Sequence, residues 1–181
     1  FERLFQSPVL QATFGGGEAN VAVSLAHFGF ESCYVTRVPA NAVGDAAVRA
    51  LRAEGVRTEF VQRGGARLGI YFAETGASQR ASTVVYDRAH SAISDASPGT
   101  FDWARLLDGA AWLHVSGITP ALGARAAAAT ADAVKAARAA GVRVSLDLNF
   151  RRKLWSEAQA RAISFASRPK NAVNVRFTQA T

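Results

Sequence analysis

Residues 121–148 read Ala-Leu-Gly-Ala-Arg-Ala-Ala-Ala-Ala-Thr-Ala-Asp-Ala-Val-Lys-Ala-Ala-Arg-Ala-Ala-Gly-Val-Arg-Val-Ser-Leu-Asp-Leu. Alanine is the best intrinsic helix former, so this composition predicts a helix over 121–140. Gly141 supplies the left-handed conformation that ends a helix cheaply, and the β-branched run from Val142 to Leu148 behind it is strand material. The same unit occurs twice more, as Glu18–Phe28, Gly29 and Cys33–Val38, and as Val43–Glu54, Gly55 and Thr58–Val61. Runs at 33–38, 112–116 and 142–148, bounded by turns and separated by helices, imply a mostly parallel sheet covered on both faces. The predicted body is a doubly wound α/β domain.

The pattern breaks between about residues 58 and 95. No helix fits there, and Gly69–Glu74 and Ser82–Arg88 alternate around a polar turn at 75–80, which predicts an inserted β-hairpin. So small an insert cannot own a core; it covers something or pairs with a second copy. Residues two apart in a strand share a face, so Tyr86 and Arg88 point one way and Asp87 the other, with Tyr71 able to join the first pair. Such a face suits a carboxylate or a polyol, because Arg forks onto carboxylates. An amphipathic hairpin with an exposed Arg is the plainer alternative.

Length and composition, 181 residues with 49% apolar and 19% charged, fit one globular domain and exclude a disordered tail, a collagen-like fibre or a disulfide scaffold. With a single cysteine and no apolar run of about 18 residues, a reducing, cytoplasmic setting and no membrane partner are expected. The net charge of +7 is uneven: residues 1–150 carry 14 basic and 13 acidic side chains, residues 151–181 carry 7 and 1. A basic excess confined to one end, without a stripe of interleaved aromatics, argues against a nucleic-acid partner.

Gly15-Gly-Gly-Glu-Ala-Asn-Val-Ala22 sets a glycine-rich turn directly before a helix, where backbone N–H groups can approach a ligand. The dinucleotide fingerprint fails, because Asn20 stands at its sixth position, and with it a nucleotide-dependent oxidoreductase is disfavoured. Asn20 offers a donor and an acceptor, suited to a sugar hydroxyl. Gly64 and Gly69 have the spacing of a phosphate loop, but Ile70 and Tyr71 replace its Lys and Ser/Thr. Ser116 lacks a nucleophile elbow, Cys33 reads as an inert residue of a buried strand, and His27, His90 and His114 have no metal-ligand spacing. Ligands of open α/β sheets bind outside the carboxyl ends of strands, which places Asn149 and Arg151 well.

Taken in order, several stretches resemble the ribokinase-like (PfkB) carbohydrate kinases, and within them the 2-keto-3-deoxygluconate kinases. They are Gly15–Ala22, Gly44-Asp45 through Leu51-Arg-Ala-Glu-Gly-Val56, Gly69-Ile-Tyr-Phe-Ala-Glu74, Val85-Tyr-Asp-Arg88 with Ser91-Ala-Ile93, His114-Val-Ser-Gly-Ile-Thr-Pro-Ala-Leu122, and Ser145-Leu-Asp-Leu-Asn-Phe-Arg151 with Leu154-Trp155. The resemblance implies a ribokinase-like fold over residues 1–162, incomplete, with β-lid segments at about 1–14 and 58–95. It implies that Gly15, Gly16 and Asn20 hold the sugar, that Tyr71, Tyr86 and Arg88 reach down from the lid, and that Ile118, Asn149 and Arg151 complete the substrate pocket. It further implies a cytoplasmic enzyme that uses ATP with Mg²⁺ to phosphorylate a terminal hydroxyl of a sugar acid and that pairs through its lid into a homo-oligomer.

The family's first strand would precede Phe1, and its Gly-Ala-Gly-Asp motif, which carries the catalytic base, would lie beyond Thr181. The expectation is therefore a fragment: the sugar-recognition half of such a kinase, inactive alone, with an irregular tail at 163–181 unrelated to the family. A fructokinase-type enzyme and a non-catalytic sugar-acid-binding module are the alternatives.

Overall fold

Ala126, Ala129, Thr130, Ala133, Val134 and Ala137 recur at helical spacing, and each is buried. In the computed structural model, which describes residues 2–151 and 154–161, they form the inner face of α4 (Ala124–Ala139). Ala137 packs with Leu107 and Val142, and Ala129 with Ala96 and Phe101. Small side chains let the helix lie close to the strands it connects. Those are β5 (Trp112–Ser116) and β6 (Arg143–Asp147), parallel and in register from Trp112 opposite Arg143 to Ser116 opposite Asp147. His114 Nδ1 and Ser145 Oγ, paired in that register, are 2.8 Å apart.

Upstream, α1 (Gly17–His27) precedes a short parallel ladder of β1 (Arg37–Val38) and β2 (Gln62–Arg63), two strands that α2 (Ala42–Ala53) connects. The side chain of Asn41 caps α2, accepting from the N–H groups of Val43 and Gly44 at 3.1 Å each. Between the two halves stands an antiparallel hairpin, β3 (Ile70–Glu74) and β4 (Thr83–Asp87), and α3 (Trp103–Leu106) follows it, capped by Asp102. The parallel ladders, the helices around them and the separate hairpin agree with the expected α/β body carrying an inserted hairpin, its sheets small and partial. No helix among the described residues is long and apolar enough to cross a membrane.

Several sequence-based boundaries move. The helix expected at 121–140 is split: a 3₁₀ turn at Pro120–Leu122 precedes Gly123, whose φ of 147° interrupts the spiral before α4 begins. Thr58–Val61, expected as a strand, is a turn closed by the Val61 N–H on the Thr58 carbonyl, and the paired strand comes after it. That turn also breaks the ladder opposite, so the run 33–38 contributes only a bridge at Cys33 and the two residues of β1. The expected 163–181 tail lies outside the described residues.

Cys33 is exposed, not buried as the strand reading implied. Local desolvation, helped by the charge of Glu59, nevertheless pushes its thiol up to about 11 from 9.0. At pH 8 the thiolate fraction then falls about 100-fold, and higher intrinsic nucleophilicity restores roughly tenfold of that. Alkylation by iodoacetamide is therefore expected to run about tenfold slower than for an ordinary thiol at pH 8 and to keep climbing to about pH 11. A rate that levels off near pH 9 would contradict this.

Gly117 continues the β5–β6 register, donating its N–H to the Asp147 carbonyl at 2.8 Å. A Cβ there would overlap the Leu148 carbonyl and come within 3.2 Å of the Trp155 ring. Gly117→Ala is expected to lower stability by roughly 1–3 kcal/mol in urea denaturation, as overpacked cores do.

Candidate functional site

The helix α1 begins without a side-chain cap, because its N-cap is Gly16, at φ 158° and ψ 152°. The N–H groups of its first turn are thus available to an outside acceptor, and the helix dipole favours negative charge there. Asn20, one turn in, donates its own N–H to the Gly16 carbonyl and keeps its side chain exposed.

The lid reaches this turn. A Cβ built on Gly15 would lie 3.6 Å from Asn20 Oδ1 and 3.6 Å from Tyr71 Oη, so the glycine, the amide and the phenol converge on one spot. Tyr71 is opposite Tyr86 in the hairpin register, with ring centroids 6.2 Å apart. The Arg88 guanidinium carbon lies 4.3 Å from the centre of the Tyr86 ring. Tyr71 and Tyr86 are each about half exposed.

Alternation gives the hairpin a different second face. Phe72 meets Phe5 at 5.8 Å, and Glu74 accepts the Leu4 N–H at 3.0 Å, so the N-terminal arm lies against that side without forming a strand of its own. Asp87 accepts from both terminal nitrogens of Arg67 at 2.7 and 2.5 Å. Hydrogen bonding and charge from Arg67 hold the Asp87 carboxyl below its usual range. The acid next to Arg88 in sequence is thereby occupied on the other face, which leaves the Tyr–Arg face cationic.

From below, the carboxyl ends of β5 and β6 approach the same turn. Asn149 sits at φ 37°, its N–H bonded to Asp147 Oδ1 at 2.9 Å, an Asx geometry that tolerates the left-handed region. A Cβ on Gly17 would be 3.5 Å from Asn149 Nδ2. Thr119 donates its hydroxyl to Glu18 Oε1 at 2.8 Å, tying α1 to the loop after β5. Burial first, then the charge of Glu18, pushes the phenol of nearby Tyr34 well above its usual range. Ile118 is half-buried, its N–H donating to Ser116 Oγ at 3.1 Å.

Gly15, Asn20, Tyr71, Tyr86 and Arg88 thus form one connected group, and Asn149 joins it through Gly17. Arg151 is exposed and donates to the Phe150 carbonyl at 3.3 Å, an arrangement that does not link it to the others. The roles of Gly17 and of the Thr119–Glu18 bond were not read from the sequence; three successive glycines followed by an acid in the first helical turn were the available signal. Among the described residues no group of three His, Cys, Asp or Glu residues is placed to hold a metal ion.

The chain as a whole is similar to known proteins. The 2-dehydro-3-deoxygalactonokinase of Haloferax volcanii is 34% identical over 160 residues, covering 88% of this chain and 50% of that protein. The solved 2-dehydro-3-deoxygluconokinase of Thermotoga maritima superposes with a TM-score of 0.88 at 52% identity, covering 91% of this chain and 50% of that one. The structure of fructokinase with bound ATP from Xylella fastidiosa gives a TM-score of 0.74 at 25% identity, covering 92% and 54%. The chain therefore spans about half the length of these relatives. The profile of the pfkB family carbohydrate kinases matches residues 3–168, and the chain belongs to that family.

Proposed function

We propose that this chain is the sugar-recognition half of an ATP-dependent kinase that phosphorylates 2-keto-3-deoxygluconate, or a close 2-keto-3-deoxy sugar acid, at its terminal hydroxyl. The convergence of Gly15, Asn20 and Tyr71 beneath the Tyr86–Arg88 pair carries this reading. Asn20 and the uncapped N–H groups of α1 suit hydroxyls, which need both donors and acceptors. Arg88 suits the carboxylate that separates an acid sugar from fructose or ribose, since charge-assisted bonds are roughly twice as strong as neutral ones. Arg151, beyond the end of β6, is the second cation of the proposed pocket, with Ile118 and Asn149 at its floor.

ATP with Mg²⁺ would supply the phosphoryl group. No Gly-Ala-Gly-Asp stretch occurs in the 181 residues, and among the described residues no three His, Cys, Asp or Glu are grouped to hold a metal ion, so no residue is assigned to either group. What this chain contributes is orientation of the acceptor hydroxyl and shielding from water by the lid. By itself it is inactive in this reading, and its setting is cytoplasmic.

Isothermal titration and a coupled phosphorylation assay on the 181-residue chain test the proposal. Binding of 2-keto-3-deoxygluconate with no phosphate transfer is expected. Arg88→Gln should weaken the acid sugar at least tenfold, the worth of a charged hydrogen bond, while leaving D-fructose within about twofold. Turnover by the chain alone, or equal losses for both sugars, would overturn it.

We also propose that two copies pair through their lids. Ile70 and Val85 on the arm-bearing face of the hairpin and Val9 of the arm are exposed by 44–74%, an apolar area a lone hairpin does not bury. Sedimentation velocity should show a concentration-dependent dimer that Val85→Lys abolishes.

A further inference from the structure

Trp155 is about nine-tenths buried, although it lies at the rim of the described structure. Its ring edge occupies the space beside Gly117 that a side chain would otherwise fill, with Cζ2 3.2 Å from where that Cβ would stand. Gly117 is fixed in turn by the Asp147 carbonyl, and the Leu148 carbonyl closes the other side of the same gap. The indole is thus wedged where β5 and β6 both end. Its Nε1 is the single buried side-chain nitrogen or oxygen without a partner among the described residues, which marks the ring as held by its shape rather than by hydrogen bonding.

The backbone links this anchor to a cation. The N–H groups of Leu154 and Trp155 both point at the Arg151 carbonyl, at 2.9 and 3.4 Å. The Arg151 side chain itself is exposed and bonded to no more than the neighbouring Phe150 carbonyl in the contacts described above. Ordering an exposed arginine on a ligand costs both backbone and side-chain entropy, and a backbone already fixed removes the first of these in advance.

We infer that Trp155 is a positioning residue that sets acid-sugar specificity by locking the Arg151 backbone against the ends of β5 and β6. This rests on the proposed sugar-acid pocket. Removing the wedge frees the Arg151 carbonyl from its two donors, so the guanidinium samples many positions and the carboxylate loses its partner. A neutral sugar, which makes no ion pair with Arg151, is left untouched.

The experiment is a double-mutant cycle on the 181-residue chain, with calorimetric affinities for 2-keto-3-deoxygluconate and D-fructose and a thermal melt for each variant. Trp155→Ala should weaken the acid sugar about tenfold and D-fructose by less than twofold, and Trp155→Phe, which keeps a flat ring in the gap, should recover most of the loss. Arg151→Ala should lose about as much, and the double variant no more than Arg151→Ala alone. Should Trp155→Ala not fold, Trp155→Leu carries the same comparison. Equal losses for both sugars, or additive losses in the double variant, would overturn the inference. If Arg151→Ala leaves acid-sugar affinity unchanged, the proposed pocket fails instead, which separates the two outcomes.

Discussion

The parallel register that sets Ser116 opposite Asp147 is the constraint on which the site depends. It brings Gly117 against the Asp147 and Leu148 carbonyls, starts the loop carrying Ile118 and Thr119, and delivers Asn149 at the far side. A slip by one residue would turn every side chain of β6 to the opposite face and carry Asn149 away from Gly17. The register is held by the ladder, by the His114–Ser145 contact and by the alanine face of α4, which tolerates no bulk between helix and strands. Stability and function are joined here, since the packing that holds the strands also holds the groups above them.

The lid follows a separate logic. A two-stranded hairpin has no interior, so its two faces are specialised by what rests on each. One takes the N-terminal arm through Phe5 and Leu4 and neutralises Asp87 with Arg67. The other presents Tyr71, Tyr86 and Arg88 toward the glycine turn. Strict alternation lets adjacent residues of opposite charge, Asp87 and Arg88, serve opposite sides without cancelling each other.

Much of this was legible from local rules. Helix, glycine and β-branched run predict α1, α2 and β6 nearly to the residue, and period-two alternation predicts the hairpin and the shared face of Tyr71, Tyr86 and Arg88. Local rules failed where one segment's shape depends on another. The turn at Thr58–Val61 interrupts a ladder that composition alone would extend, Gly123 cuts a helix that alanine content would lengthen, and α3 escaped notice at four residues. The meeting of Gly17 with Asn149, and of Gly117 with Trp155, joins positions far apart in the chain, and no periodicity announces such a meeting.

The two kinds of pairing also differ in how they are reached during folding. Tyr71 and Tyr86 are 15 residues apart along the chain, whereas Trp112 and Arg143 are 31 apart and Arg37 and Gln62 are 25 apart. Loop-closure entropy makes the longer connections costlier to close, by roughly 0.5–1 kcal/mol, and non-local parallel pairs are intrinsically slow to form. The lid is thus built from contacts local in the chain, and the two parallel ladders from contacts that span whole helices.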